Sequence, residues 1–205
     1  MTQSETQESA IVEYESSKRA FYADFGIHYE FNTTGNQKWA AGLVFAPSLQ
    51  VNHENNLTYS NSSTSEGVDK SYHSRTQYLP MHIGAGISMT TERWVVTTDY
   101  NYLDWSRNTS SYTSMKYENQ HKLNIGGAYI TNPRLPRSTE LMGGIGLSNS
   151  YINLRGGKMQ YLEVSAGASF PIRYSYLSLG ATWRKQINSR SSLMQESRFS
   201  MNLNI

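Results

Sequence analysis

The sequence predicts an all-β fold, an antiparallel up-and-down transmembrane β-barrel, on three observations. Apolar residues recur at every second position in long runs. The connections between the runs alternate between short and long. Tyr, Gly, Asn, Ser and Thr dominate the composition, with 15 Tyr and 15 Gly but only 5 Pro. A period of two gives a strand one greasy face and one polar face. Barrels of the bacterial outer membrane combine that alternation with short periplasmic turns, longer outer loops and aromatic girdles.

The runs follow one another along the chain. In 21–31 the odd positions are Phe21, Ala23, Phe25, Ile27, Tyr29 and Phe31, and the even ones include Asp24, His28 and Glu30. Trp39, Ala41, Leu43 and Phe45 form the next greasy face, and Leu79, Met81, Ile83, Ala85, Ile87 and Met89 another. Leu123, Ile125, Gly127 and Tyr129 give a weaker copy, followed by Leu141, Gly143, Ile145 and Leu147. Leu162–Phe170, Leu177–Trp183 and Phe199–Ile205 close the series. About nine strands follow from this alternation, spanning roughly 19–31, 38–54, 74–89, 93–106, 116–131, 138–149, 158–170, 173–187 and 194–205.

The connections at 32–37, 90–92, 132–137 and 171–172 are short, and those at 55–73, 107–115, 150–157 and 188–193 are longer. With the long ones outside, the last strand runs inward. About nine strands ending inside begin outside, whereas bacterial single-chain barrels have even strand numbers. The sequence therefore reads as the C-terminal part of a larger barrel. Residues 1–18 form an outer loop or the remnant of an upstream strand, with Ala10–Ser16 as its stub, and 19–205 form the barrel segment. Met1–Ser9 has neither the basic nor the apolar region of a secretory signal.

Composition excludes several classes. Charged residues make up 17% of the chain, against about 25% for soluble domains. No apolar run approaches the roughly 18 residues of a membrane-spanning helix. A net charge of +2 with scattered basic residues argues against nucleic acid. With no Cys, disulfides, thiolate-bound zinc and thiol catalysis are excluded.

The polar faces supply the candidate site residues. Asp24, His28, Glu30, His82, Asp99, Asn101, Lys122, Asn124, Glu140, Glu163, Arg184 and Arg198 alternate with apolar neighbours and point into the lumen of a barrel. Trp39, Trp94 and Trp105 lie near strand ends, where amphipathic rings sit at the level of the lipid headgroups. The five His residues lack the spacing of a metal site. No nucleophile and base share a recognisable motif, so no enzyme activity and no cofactor are expected.

The second half of the chain resembles the FadL-type outer-membrane transporters of long-chain fatty acids and hydrocarbons. The resemblance rests on Leu79-Pro80 with Gly84, Gly86, Arg93 and Trp94, on Asp99–Ser106 (DYNYLDWS), on Leu123–Tyr129 (LNIGGAY), and on Gly143–Gly146. Gly167–Ile172 and Leu177–Gly180 add to it. It implies a barrel of about fourteen strands and passive uptake of a hydrophobic small molecule through the outer membrane. The implied partners are outer-membrane lipid, that substrate, and the barrel-assembly machinery reading the C-terminal strand. Three other readings stand beside it: a structural or partner-anchoring barrel without transport, a barrel hydrolase, and a secreted β-sandwich.

Overall fold

The computed structural model describes residues 10–33, 36–61, 64–73, 77–110, 114–154, 157–188 and 195–204. They form antiparallel β-sheets, with no helix among the described residues. The strands in chain order are β1 (Ala10–Arg19), β2 (Phe25–Thr33), β3 (Gln37–Ala46), β4 (Gln50–Asn61) and β5 (Thr64–His73). Next are β6 (Gln77–Tyr78), β7 (Met81–Thr90), β8 (Trp94–Asp104), β9 (Met115–Tyr117) and β10 (Gln120–Ile130). The last are β11 (Glu140–Asn149), β12 (Ile152–Leu154), β13 (Gln160–Ile172), β14 (Ser175–Asn188) and β15 (Ser197–Asn204).

The chain divides into two compact units, one from residues 1–22 and 49–79, the other from 23–48 and 80–205. In the first, β4 pairs with β1, β5 and the short β6. The second unit is a nine-stranded meander in the order β15-β14-β13-β11-β10-β8-β7-β3-β2. Two prolines mark where the chain passes between the units. Pro47 follows the last residue of β3, and Pro80 precedes the first of β7. Proline has no N–H to give a ladder, so neither strand extends past it.

This division changes several sequence expectations. The run 38–54 is two strands, β3 and β4, and the run 74–89 contains β6 and β7 on either side of Pro80. Residues 55–73, expected as a long outer loop, contain the end of β4 and all of β5. Their sequence is polar at nearly every position, so alternation carried no signal there. Ala10–Ser16 lies in β1, paired with β4 over its full length.

Short turns join the strands of the meander at one end. In the β2–β3 turn, Asn36 adopts φ 62°, a left-handed conformation that Asn tolerates better than most residues. Its side-chain amide donates to Glu92 Oε1 at 3.0 Å, tying this turn to the β7–β8 turn. At the other end, the β8–β10 and β11–β13 connections each contribute a short strand, and β9 and β12 pair as a ribbon.

The meander is a single layer. Ala46 and Tyr161 are the only buried hydrophobic residues among those described, and no large side chain is fully buried. A sheet normally hides its apolar face against a second layer. Here that face stays open, and β2 and β15 form the two edges. Among the described residues the sheet does not close on itself.

Candidate functional site

Register fixes what each face presents. One cross-strand row runs His28–Gly42–Gly86–Asp99–Asn124–Gly146–Glu163–Arg184–Arg198 through all nine strands. A parallel row sets Asn101 beside Lys122, and Glu140 pairs with Ser169 on the same face. Asp24 precedes β2 and lies outside any strand. The strands thus bring all the other charged and amide candidates to one polar face.

Some of these residues touch. Asp99 Oδ1 accepts from Asn101 Nδ2 at 2.7 Å and from Asn124 Nδ2 at 3.1 Å. His82 Nε2 donates to Asn101 Oδ1 at 2.9 Å, completing a chain of four side chains. Glycine makes room for it, since a Cβ on Gly84 would stand 2.8 Å from Asn101 Oδ1 and one on Gly146 2.7 Å from Asn124 Oδ1. His28 and Glu30 form an exposed pair of their own at 3.9 Å. The Arg184 guanidinium lies 4.1 Å over the Tyr161 ring, a cation–π contact.

The opposite face is apolar from edge to edge. Tyr29, Ala41, Ile87, Thr98, Ile125, Ile145, Val164, Trp183 and Phe199 form one row. Its members are open, with Ile145 at 56% and Phe199 at 64% exposure. Within the row, Thr98 Oγ1 donates to the Asn124 carbonyl at 3.1 Å. On β13 the face runs from Leu162 to Phe170, about 26 Å at about 3.3 Å per residue. That matches the apolar band of about 25 Å on outer-membrane barrels.

Aromatic rings gather at both ends of this face. At the short-turn end, Trp39 stacks on Phe31 with centroids 6.5 Å apart, and Trp94 meets Tyr129 at 4.7 Å. Trp105 lies just past the end of β8, among the long connections. There it stacks on Tyr151 at 4.5 Å and on Tyr117 at 6.3 Å. The three indoles expected near strand ends are therefore divided, two at one end and one at the other.

The long-connection end carries the most elaborate local structure. Asp104 Oδ1 accepts from the Ser106 N–H at 2.9 Å and turns the chain out of β8. Asn149 clamps two connections together: its Oδ1 accepts from the His121 N–H at 2.6 Å, and its Nδ2 donates to the Asn119 carbonyl at 2.7 Å. Glu118 Oε1 accepts from Asn153 Nδ2 at 2.7 Å, and Glu118 Oε2 lies 3.8 Å from Lys158 Nζ. Tyr100 Oη lies 2.7 Å from His121 Nδ1. Below them is a cavity of about 810 Å³. Sequence reasoning missed Glu118, His121, Asn149, Tyr151 and Lys158, because what joins them is contact between two distant connections. The one available signal was the aromatic content of those connections. Among the described residues no cluster of His, Asp and Glu is arranged to hold a metal.

The nine-stranded unit is thus an all-β, antiparallel single-layer sheet with a continuous open apolar face and a polar face behind it. The chain belongs to the BamG family, a family related to the barrel-assembly machinery (BAM), with the match covering residues 1–205. No curated protein and no solved structure matches it.

The family overturns the FadL resemblance and the fatty-acid uptake that the resemblance implied, and the fourteen-strand count loses its basis with it. The segment that carried most of it has local structural roles here. In Asp99–Ser106, Asp99 holds two amides, Tyr100 meets His121, and Asp104 caps the exit from β8. These are roles in strand and turn geometry.

Proposed function

We propose that the chain is an outer-membrane component of the barrel-assembly machinery that works by holding partners, without solute transport and without covalent chemistry. The observation that carries this reading is the match to the BamG family over the whole chain. The open apolar face and its aromatic ends support a place in the lipid.

In this reading the nine-stranded sheet is the wall of an antiparallel barrel, with the His28–Arg198 row facing its interior. An antiparallel meander of nine strands has its first and last running the same way, so β2 and β15 cannot pair antiparallel with each other. One further strand, or another odd number, lying between them completes the wall. Edges left unpaired in lipid cost several kcal/mol per polar group, so the sheet is stable there only in company.

The test uses the full-length protein in its native host. An affinity-tagged copy should co-purify from detergent extracts with the assembly machinery, identified by mass. Depleting the protein should lower the amount of other outer-membrane barrels that show heat-modifiable mobility. Unchanged barrel levels with no machinery in the purified fraction would overturn the proposal.

A further inference from the structure

We infer that the cavity at the long-connection end of the apolar face binds the headgroup of a zwitterionic, amine-bearing glycerophospholipid. This inference rests on the reading of that face as lipid-facing.

The cavity's walls show its orientation. Leu123 and Leu147 are register partners on the apolar face, and Ile187 of β14 joins them. Toward the connections, the same face carries His121, and Glu118 and Lys158 line the rim. Apolar side chains therefore form the base and charged ones the mouth. The base continues along β10 and β11 to Ile125 and Ile145, a register pair more than half exposed. A water-soluble metabolite has no use for that continuation, whereas a lipid does: its head occupies the mouth and its tails lie along the apolar face.

The mouth also selects the headgroup. Lys158 and Glu118 are of opposite charge, and their 3.8 Å separation exceeds hydrogen-bond length, so each can take a further partner. Glu118 is anchored through Oε1 to Asn153, and Lys158 is largely exposed and able to swing. A phosphate suits the ammonium of Lys158, and a primary amine suits the carboxylate of Glu118. A headgroup bearing both charges satisfies both residues, while a purely anionic one leaves Glu118 opposed.

The experiment offers the full-length protein, in detergent, an equimolar mixture of phosphatidylethanolamine, phosphatidylglycerol and phosphatidylcholine with identical acyl chains. Native mass spectrometry then reads the lipids retained. Phosphatidylethanolamine should be enriched about threefold to fivefold, the range accessible to an exposed charge pair. Glu118→Gln keeps the acceptor for Asn153 and should erase the preference over phosphatidylglycerol. Lys158→Gln should lower retention of all three phospholipids. Soluble phosphoethanolamine should fail to displace the lipid, and displacement by it would show that the tails contribute nothing and overturn the lipid assignment. Protein that binds detergent but retains the three lipids equally overturns this inference alone. Protein that stays monodisperse without detergent overturns the membrane reading and this inference with it.

Discussion

Trp105 stacks on Tyr151 across two separate connections, with centroids 4.5 Å apart and planes 20° from parallel. Tyr117 lies against both, so three rings from three segments fasten the β9–β12 ribbon to the end of β8. The indole N–H of Trp105 is buried without a hydrogen-bond partner, so the stack holds through ring contact. Trp105→Phe should then be mild, and Trp105→Ala should cost about 2–4 kcal/mol of local stability. Limited proteolysis of the folded protein checks this: cleavage in residues 106–118 should accelerate for the Ala variant and stay slow for the Phe variant.

Asp99 should be the most sensitive member of the polar-face chain, because it accepts from Asn101 and Asn124 together. Asp99→Ala strands two amides and should cost about 1–3 kcal/mol. Asn124→Ala removes one donor and should cost less. The double variant should lose less than the sum, because the two residues share one bond. Urea unfolding of the four proteins in detergent supplies the cycle, and strict additivity would mean that the Asp99–Asn124 contact contributes nothing.

The two faces were legible in the sequence because alternation is a local property. Ile27, Leu43 and Ile145 announce their side by the neighbours at two positions before and after. The long row from His28 to Arg198 was legible only in part. Parity put its members on one face, but placing them opposite one another required registers that no single strand encodes. The β4–β5 hairpin was missed because residues 52–73 are polar on both sides and carry no period. The pairing of Met115–Tyr117 with Ile152–Leu154 was beyond reach as well, since three-residue strands from distant connections leave no pattern of their own. The FadL resemblance misled for a related reason, since Asp99, Tyr100 and Asp104 answer to local strand and turn geometry.

Gly127 and Gly143 face each other in the β10–β11 ladder, yet they should respond differently to the same substitution. A Cβ on Gly127 would stand 2.9 Å from the Val95 carbonyl oxygen, a backbone atom fixed in the β8–β10 ladder. A Cβ on Gly143 would meet the Ser165 carbonyl at 3.8 Å, an ordinary contact. Gly127→Ala should therefore destabilise by about 1–3 kcal/mol, and Gly143→Ala should lie close to the parent. Midpoints of unfolding in detergent decide it, and equal midpoints would remove the steric argument.

The two faces should also respond oppositely to charge. Ile145 sits near the middle of the apolar band on β11, and Thr97 is exposed on the polar face of β8. In lipid, a Lys at the middle of the outer surface costs about 2–4 kcal/mol. On the polar face it meets water and neighbouring polar groups. Ile145→Lys should thus lower the yield of protein folded into vesicles severalfold, and Thr97→Lys should leave it nearly unchanged. In detergent-free solution the ranking should reverse, because a charge on an open apolar face reduces aggregation. The same low yield for both variants in vesicles would mean that lipid does not distinguish the faces. Parent protein that folds, stays soluble and never enters vesicles would show that the apolar face is covered by a protein partner in place of the bilayer.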